Sequence, residues 1–95
     1  MTSPVPPPVR PAPADSPYAA GGPWYHATVR FGAERAATGT WRSLVTAEAA
    51  YVRDVGAYGG RSGTVVVLEA ESGGVLRLLR AWTAEAGELP VPGIG

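Results

Sequence analysis

Eight of the chain's ten prolines fall within its first 23 residues, at positions 4, 6, 7, 8, 11, 13, 17 and 23. The same stretch has no Leu, Ile, Phe or Trp. Proline removes backbone donors and bars helix, and without large apolar side chains nothing offsets the entropy of ordering. Residues 1–23 therefore read as a disordered, Pro-rich tail. Residues 87–95, with Pro90, Pro92, Gly93 and Gly95, read as a short flexible C-terminal tail. The fold must come from residues 24–86. A domain of this size buries only about 60% of its unfolded-chain surface. The expected stability is on the order of 3–9 kcal/mol, with little room for a deep catalytic cleft.

Charge and cysteine narrow the functional classes. Eight basic residues balance eight acidic ones, and every basic residue is Arg. Within 24–86 seven Arg face six acids, so the domain lacks the basic excess of an electrostatic nucleic-acid binder. There is no cysteine, which excludes disulfides, zinc–thiolate sites and cysteine nucleophiles and allows a cytoplasmic location. No apolar run reaches membrane-spanning length, and no basic-then-apolar leader is visible.

Hydrophobic periodicity supplies the elements. From Trp24 to Phe31 the chain alternates, with Tyr25, Ala27, Val29 and Phe31 on one face. Residues 36–42 alternate again. An odd-length connecting loop places Ala37, Gly39 and Trp41 beside the apolar set. Thr46 reads as an N-cap with Glu48 in the first turn, Ser43 being an earlier alternative. The helical stripe is Ala47, Tyr51, Val55 and Tyr58, widened by Val52. Gly59 sits where a left-handed cap is expected. Val65 to Leu68 is apolar on both parities, as in a central strand covered on both sides. After Ser72-Gly73-Gly74 a fourth strand runs from Val75 to Thr83, and a three-residue turn pairs Glu69 with Arg77. The predicted fold class is α+β, in the order β-β-α-β-β. One helix packs on a four-stranded antiparallel sheet of order 2-1-3-4.

One helix covers one sheet face, yet the second hairpin is apolar on both. Either Val65, Val67, Val75, Leu79 and Ala81 or Val66, Leu68, Leu76, Leu78 and Trp82 must face away from the helix. The candidate association face draws on Val65, Val67, Leu76, Leu78, Leu79 and Trp82. A patch of that size calls for a cover, and two-fold self-association is the simplest. A protein partner is the next, and a tail folded back over the face is the plain structural answer.

Catalytic chemistry finds little support in the composition. His26 is the single histidine, on the polar face of the first strand. A general base needs a nucleophile and an orienting acid, and none is evident beside it in sequence. Glu69 and Glu71 share a face, but two carboxylates do not make a metal site. Gly59-Gly60-Arg61-Ser62-Gly63 follows a helix, whereas phosphate cradles precede one. The reading is a non-enzyme without cofactor or metal. The candidate ligand face is the polar side of the first hairpin: Trp24, His26, Thr28, Arg30, Thr38, Thr40 and Arg42. With no acid among them, these could meet phosphates and bases.

The run WYHATVRFG…GTWRSLVTAEAAYVRDVG, over residues 24–58, resembles the arm-type DNA-binding module of tyrosine integrases. In that module strands lead into a short helix and the sheet reads DNA. The resemblance implies a DNA-contacting role for the hairpin face. This chain has two strands before its helix where that module has three, and it has no Lys. The leading expectation is a small non-enzymatic association module that self-associates through the second hairpin. Nucleic-acid binding through the first hairpin is the alternative, and no membrane partner is expected.

Overall fold

The computed structural model describes residues 9–12, 16–18 and 21–91, without the side chains of residues 35 and 36. Its elements are β1 (Val9–Pro11), β2 (Trp24–Phe31), β3 (Glu34–Trp41), α1 (Leu44–Tyr58), β4 (Thr64–Ser72), β5 (Val75–Thr83) and β6 (Gly87–Leu89). The class is α+β, with one helix on an antiparallel sheet. The four long strands stand in the order β3-β2-β4-β5. The expected four strands become six, because each tail adds one short strand to the free edge of β5. Val9–Pro11 pairs with residues 75–77, and Gly87–Leu89 pairs with residues 81–83. Three-residue strands carry no readable periodicity. Pro11 is tolerated because β1 is an edge strand, where a missing N–H leaves no ladder bond broken. The stretches read as tails, 1–23 and 87–95, thus each contain one ordered strand. The expected disorder of residues 1–8, 13–15, 19–20 and 92–95 lies outside the described residues.

Bulges set the faces. In the β2–β3 hairpin the turn is only Gly32-Ala33, since Phe31 pairs with Glu34. A register shift between Val29 and Arg30 leaves Ala36 extra on β3 and restores the odd count. Tyr25 therefore lies beside Trp41 and Val29 beside Ala37. The second hairpin turns on Gly73 and Gly74, both at positive φ, as a two-residue turn needs. Ser72 pairs with Val75, which puts Glu69 opposite Leu78 and Arg77 opposite Ala70 rather than pairing Glu69 with Arg77. Leu79 is then left over between Leu78 and Arg80, and parity along β5 reverses there.

The core lies between α1 and one sheet face. Ala27, Val29, Val66 and Leu68 meet Ala47, Ala50 and Tyr51 of the helix, all buried. The Val and Leu side chains contribute about 1.5–3 kcal/mol each on burial, and each Ala methyl about 0.8 kcal/mol. Ser43, not Thr46, caps α1: its hydroxyl accepts from the Thr46 N–H at 3.3 Å. Glu48 consequently falls beyond the first turn. Val52, expected to widen the stripe, is 56% exposed, and Ala50 takes the inward place.

Gly59 ends the helix at φ −62°, so it is right-handed, not left-handed as expected. Its glycine is required for another reason: a Cβ there would run into the Val55 carbonyl and lie 2.7 Å from Trp82 Nε1. Gly59→Ala is expected to destabilise the fold by about 1–3 kcal/mol through overpacking. Gly56→Ala, whose Cβ would meet open space, is expected to stabilise it by about 0.5–1 kcal/mol. Opposite shifts of the urea midpoint check the pair. No described helix is long and apolar enough to cross a membrane.

Candidate functional site

The sheet face away from α1 is where the polar and titratable side chains gather, His26, Thr28, Glu69 and Glu71 among them buried. Alternation sends His26 and Thr28 of β2 to this face, and register sets Thr40 and Thr38 directly beside them on β3. On the other side of β2, β4 sets Glu69 beside His26 and Glu71 beside Trp24. Leu76 and Leu78 follow on β5, opposite Glu71 and Glu69. Arg10 pairs with Leu76 and brings the N-terminal segment onto this face. All of these but Trp24 and Leu78 line, together with Ser16, Pro17, Tyr18 and Arg30, a cleft of about 320 Å³.

A chain of hydrogen bonds crosses the cleft floor. His26 Nδ1 lies 2.8 Å from Thr40 Oγ1, and His26 Nε2 lies 2.8 Å from Glu71 Oε1. The Ser16 hydroxyl donates to Glu71 Oε2 at 3.0 Å, and the Tyr18 N–H donates to the Ser16 hydroxyl at 3.3 Å. With Nε2–H donating to the carboxylate, Nδ1 of the neutral ring accepts the Thr40 proton, and in the cation it donates. Glu71 is 2% exposed, so its charge is tenable only because both oxygens are bonded. Beside it, Arg10 Nη2 donates to Glu69 Oε2 at 2.6 Å. The Tyr18 ring sits 5.1 Å from that of Trp24 and edge-on to His26 at 5.4 Å.

The order hydroxyl, imidazole, carboxylate brings His26 the acid that sequence reasoning found missing. The contact has a simple origin, because Thr40 and His26 are cross-strand partners and such pairs touch in any antiparallel ladder. Its visible effect is to fasten residues 16–18 to the sheet through Glu71.

The seven residues of the candidate ligand face are brought together in part. Thr28 and Thr38 bond through their hydroxyls at 3.4 Å, and Arg30 lines the cleft. Trp24 is no open platform, since the Arg42 guanidinium lies 4.3 Å over it and Tyr18 lies beside it. The premise of an acid-free face is overturned. β4 pairs with β2, so Glu69 and Glu71 stand among these groups.

The candidate association face divides at the Leu79 bulge. Val65, Val67, Leu76 and Leu78 share the outer face. Leu79 and Trp82 pack against the core on the helix side, and Ala81 takes the outer place expected of Trp82. The N-terminal segment covers part of the outer set: Leu76 is 7% exposed, while Val65, Val67 and Leu78 stay half-buried. Sequence reasoning missed Arg10, Ser16 and Tyr18. Their one signal was an Arg, a Ser and a Tyr scattered in a proline tract.

A second polar cluster joins β6 to the helix face. The Tyr51 hydroxyl donates to Glu88 Oε1 at 3.0 Å, and Arg80 donates to both Glu88 oxygens at 3.1 and 3.3 Å. Burial first, and then the bond to Glu88, push the Tyr51 phenol well above its ordinary pKa.

Compared with protein-family models, with curated proteins and with solved structures, the chain matches none of them.

Proposed function

We propose that this chain is a small non-enzymatic association module that pairs with a second copy through the outer face of β4 and β5. The observation that carries the reading is that Val65, Val67 and Leu78 form an apolar strip, only partly buried, on the sheet face opposite the helix. The cover observed beside it is the chain's own residues 9–12 and 16–18. Cover of this kind is displaceable. It consists of one three-residue strand continued by the Ala12 N–H bond to Gly74, one ion pair to a partly exposed Arg10, one Ser16 hydroxyl bond, and the Tyr18 ring against Trp24 and His26. The helix leaves this side of the sheet bare, and an apolar strip on a bare sheet face favours sheet-on-sheet packing.

Nucleic acid is the less favoured ligand, because Glu69 and Glu71 now stand inside the surface that would have to meet phosphate.

Deleting residues 1–20 tests the reading. The truncated chain loses its cover over Leu76 and is expected to dimerise at least about tenfold more tightly than the full chain, as measured by sedimentation equilibrium. A truncated chain that stays folded and monomeric at the highest concentration reached would sink the proposal.

A further inference from the structure

The tail does more than shield the strip. It docks as a strand and delivers one charged side chain to one buried acid. Val9, Arg10 and Pro11 pair antiparallel with Arg77, Leu76 and Val75, and the Ala12 N–H continues the ladder to the Gly74 carbonyl at 2.7 Å. These backbone bonds hold any extended segment. Selectivity has to come from side chains, and the alternate positions of an added strand provide it.

Arg10 occupies the position that faces the cleft, and its guanidinium reaches Glu69 Oε2 at 2.6 Å. The Glu69 side chain is 11% exposed, so it has surrendered most of its water to stand there. Arg10 is its ion-pair partner among the described residues. A guanidinium suits this acid better than an ammonium, being more weakly hydrated and so easier to bring against a buried carboxylate.

We propose that the β5 edge beside Glu69 is an acceptor for an extended, arginine-bearing strand, and that in the associated form residues 9–12 of a second copy fill it. The inference rests on the association reading above and adds the exchanged segment and the side chain that is read. Ser16 and Tyr18 dock on the same sheet, so residues 9–12 and 16–18 exchange together, and the five residues between Tyr18 and Trp24 connect them to the sheet within one chain or between two. Within one chain the tail is held at an effective concentration on the order of millimolar, which favours the closed monomer. Exchange between copies tips the balance because it coincides with burial of Val65, Val67 and Leu78 across the pair, a contact the closed monomer lacks.

A charge-swap mixture tests this. The Arg10→Glu chain has a repelled tail and an intact acceptor, and the Glu69→Arg chain has the reverse. Each alone has its strip uncovered, as in the residues 1–20 deletion, and is expected to pair no more tightly than that chain. Mixed in equal amounts they are expected to form a one-to-one heterodimer at least about tenfold more tightly than either variant pairs alone, measured by sedimentation equilibrium, since this is the arrangement in which every tail meets an opposite charge. The double variant, paired again within one chain, should return to wild-type behaviour. A mixture of folded variants that pairs no more tightly than either variant alone overturns strand exchange.

If Glu69→Arg does not fold, the full-length Arg10→Glu chain is titrated with a synthetic peptide of residues 6–13. Amide resonances of residues 75–78 are expected to shift, with binding about tenfold weaker when Lys replaces the peptide's Arg. Equal binding of the Arg and Lys peptides overturns guanidinium recognition. Failure of both peptides to bind, with the residues 1–20 deletion still dimerising, overturns the strand acceptor and leaves the association module in place.

Discussion

His26→Leu is expected to lower the unfolding free energy by about 3–5 kcal/mol, because it removes the partner of a buried charge. Glu71 is 2% exposed and holds its charge through His26 on one oxygen and Ser16 on the other. With the imidazole gone, Ser16 alone cannot replace the hydration that the carboxylate has lost. A loss of that size approaches the whole stability of a domain this small. The double variant His26→Leu/Glu71→Leu is expected to recover most of it, since two apolar groups of similar volume leave no buried charge unpaired and the Thr40 and Ser16 hydroxyls, both partly exposed, can turn to water. Urea unfolding of the two single variants and the double variant completes the cycle. A coupling energy near zero would mean that the two side chains do not depend on each other.

Tyr51→Ala is expected to cost about 3–5 kcal/mol, the range for truncating a buried aromatic. Its ring is 1% exposed and lies at the centre of the helix–sheet contact, and Arg80 stacks 4.6 Å above it. Tyr51→Phe keeps the ring and loses only the bond to Glu88, an expected cost of about 1 kcal/mol. The two variants thus separate packing from the hydroxyl. The phenol also makes stability depend on alkaline pH. Its folded pKa lies above its unfolded value of 10.0, so its contribution is complete below that value and is lost as the pH rises through the folded one. Thermal melts from neutral to strongly alkaline pH should therefore fall more steeply for the wild type than for Tyr51→Phe. Parallel curves would contradict the assignment.

The parts of the fold legible in the sequence are those that depend on local alternation. Trp24–Phe31 and its partner strand declared their faces through period two, and the bulge at Ala36 preserved them. Val65–Leu68, apolar on both parities, is a central strand between β2 and β5, but only its helix face, Val66 and Leu68, is fully buried, while Val65 and Val67 are partly buried on the other. The register of the second hairpin was not legible, because a two-residue turn followed by a bulge at Leu79 is chosen by core packing. Trp82 and Leu79 reach the helix side only if parity slips once. The site was half legible for a related reason. Alternation grouped His26 with Thr28, Thr38 and Thr40, but the arrival of Glu69 and Glu71 beside them depends on pairing across forty residues. Arg10 and Ser16 left no periodic trace, since a three-residue edge strand and a single hydroxyl contact have none to leave.

β1 and β6 lie end to end along one side of β5, with Leu78 to Arg80 between them unclaimed by either. The Leu79 bulge falls in that gap, and a bulge interrupts the ladder an incoming strand would follow. The border is therefore divided into two independent berths, one for each end of the polypeptide. The N-terminal berth can be vacated and refilled while the C-terminal one stays moored through Glu88. A visiting chain is then limited to about the length of three residues, so it must be selected by one well-placed charge rather than by a long run of sequence.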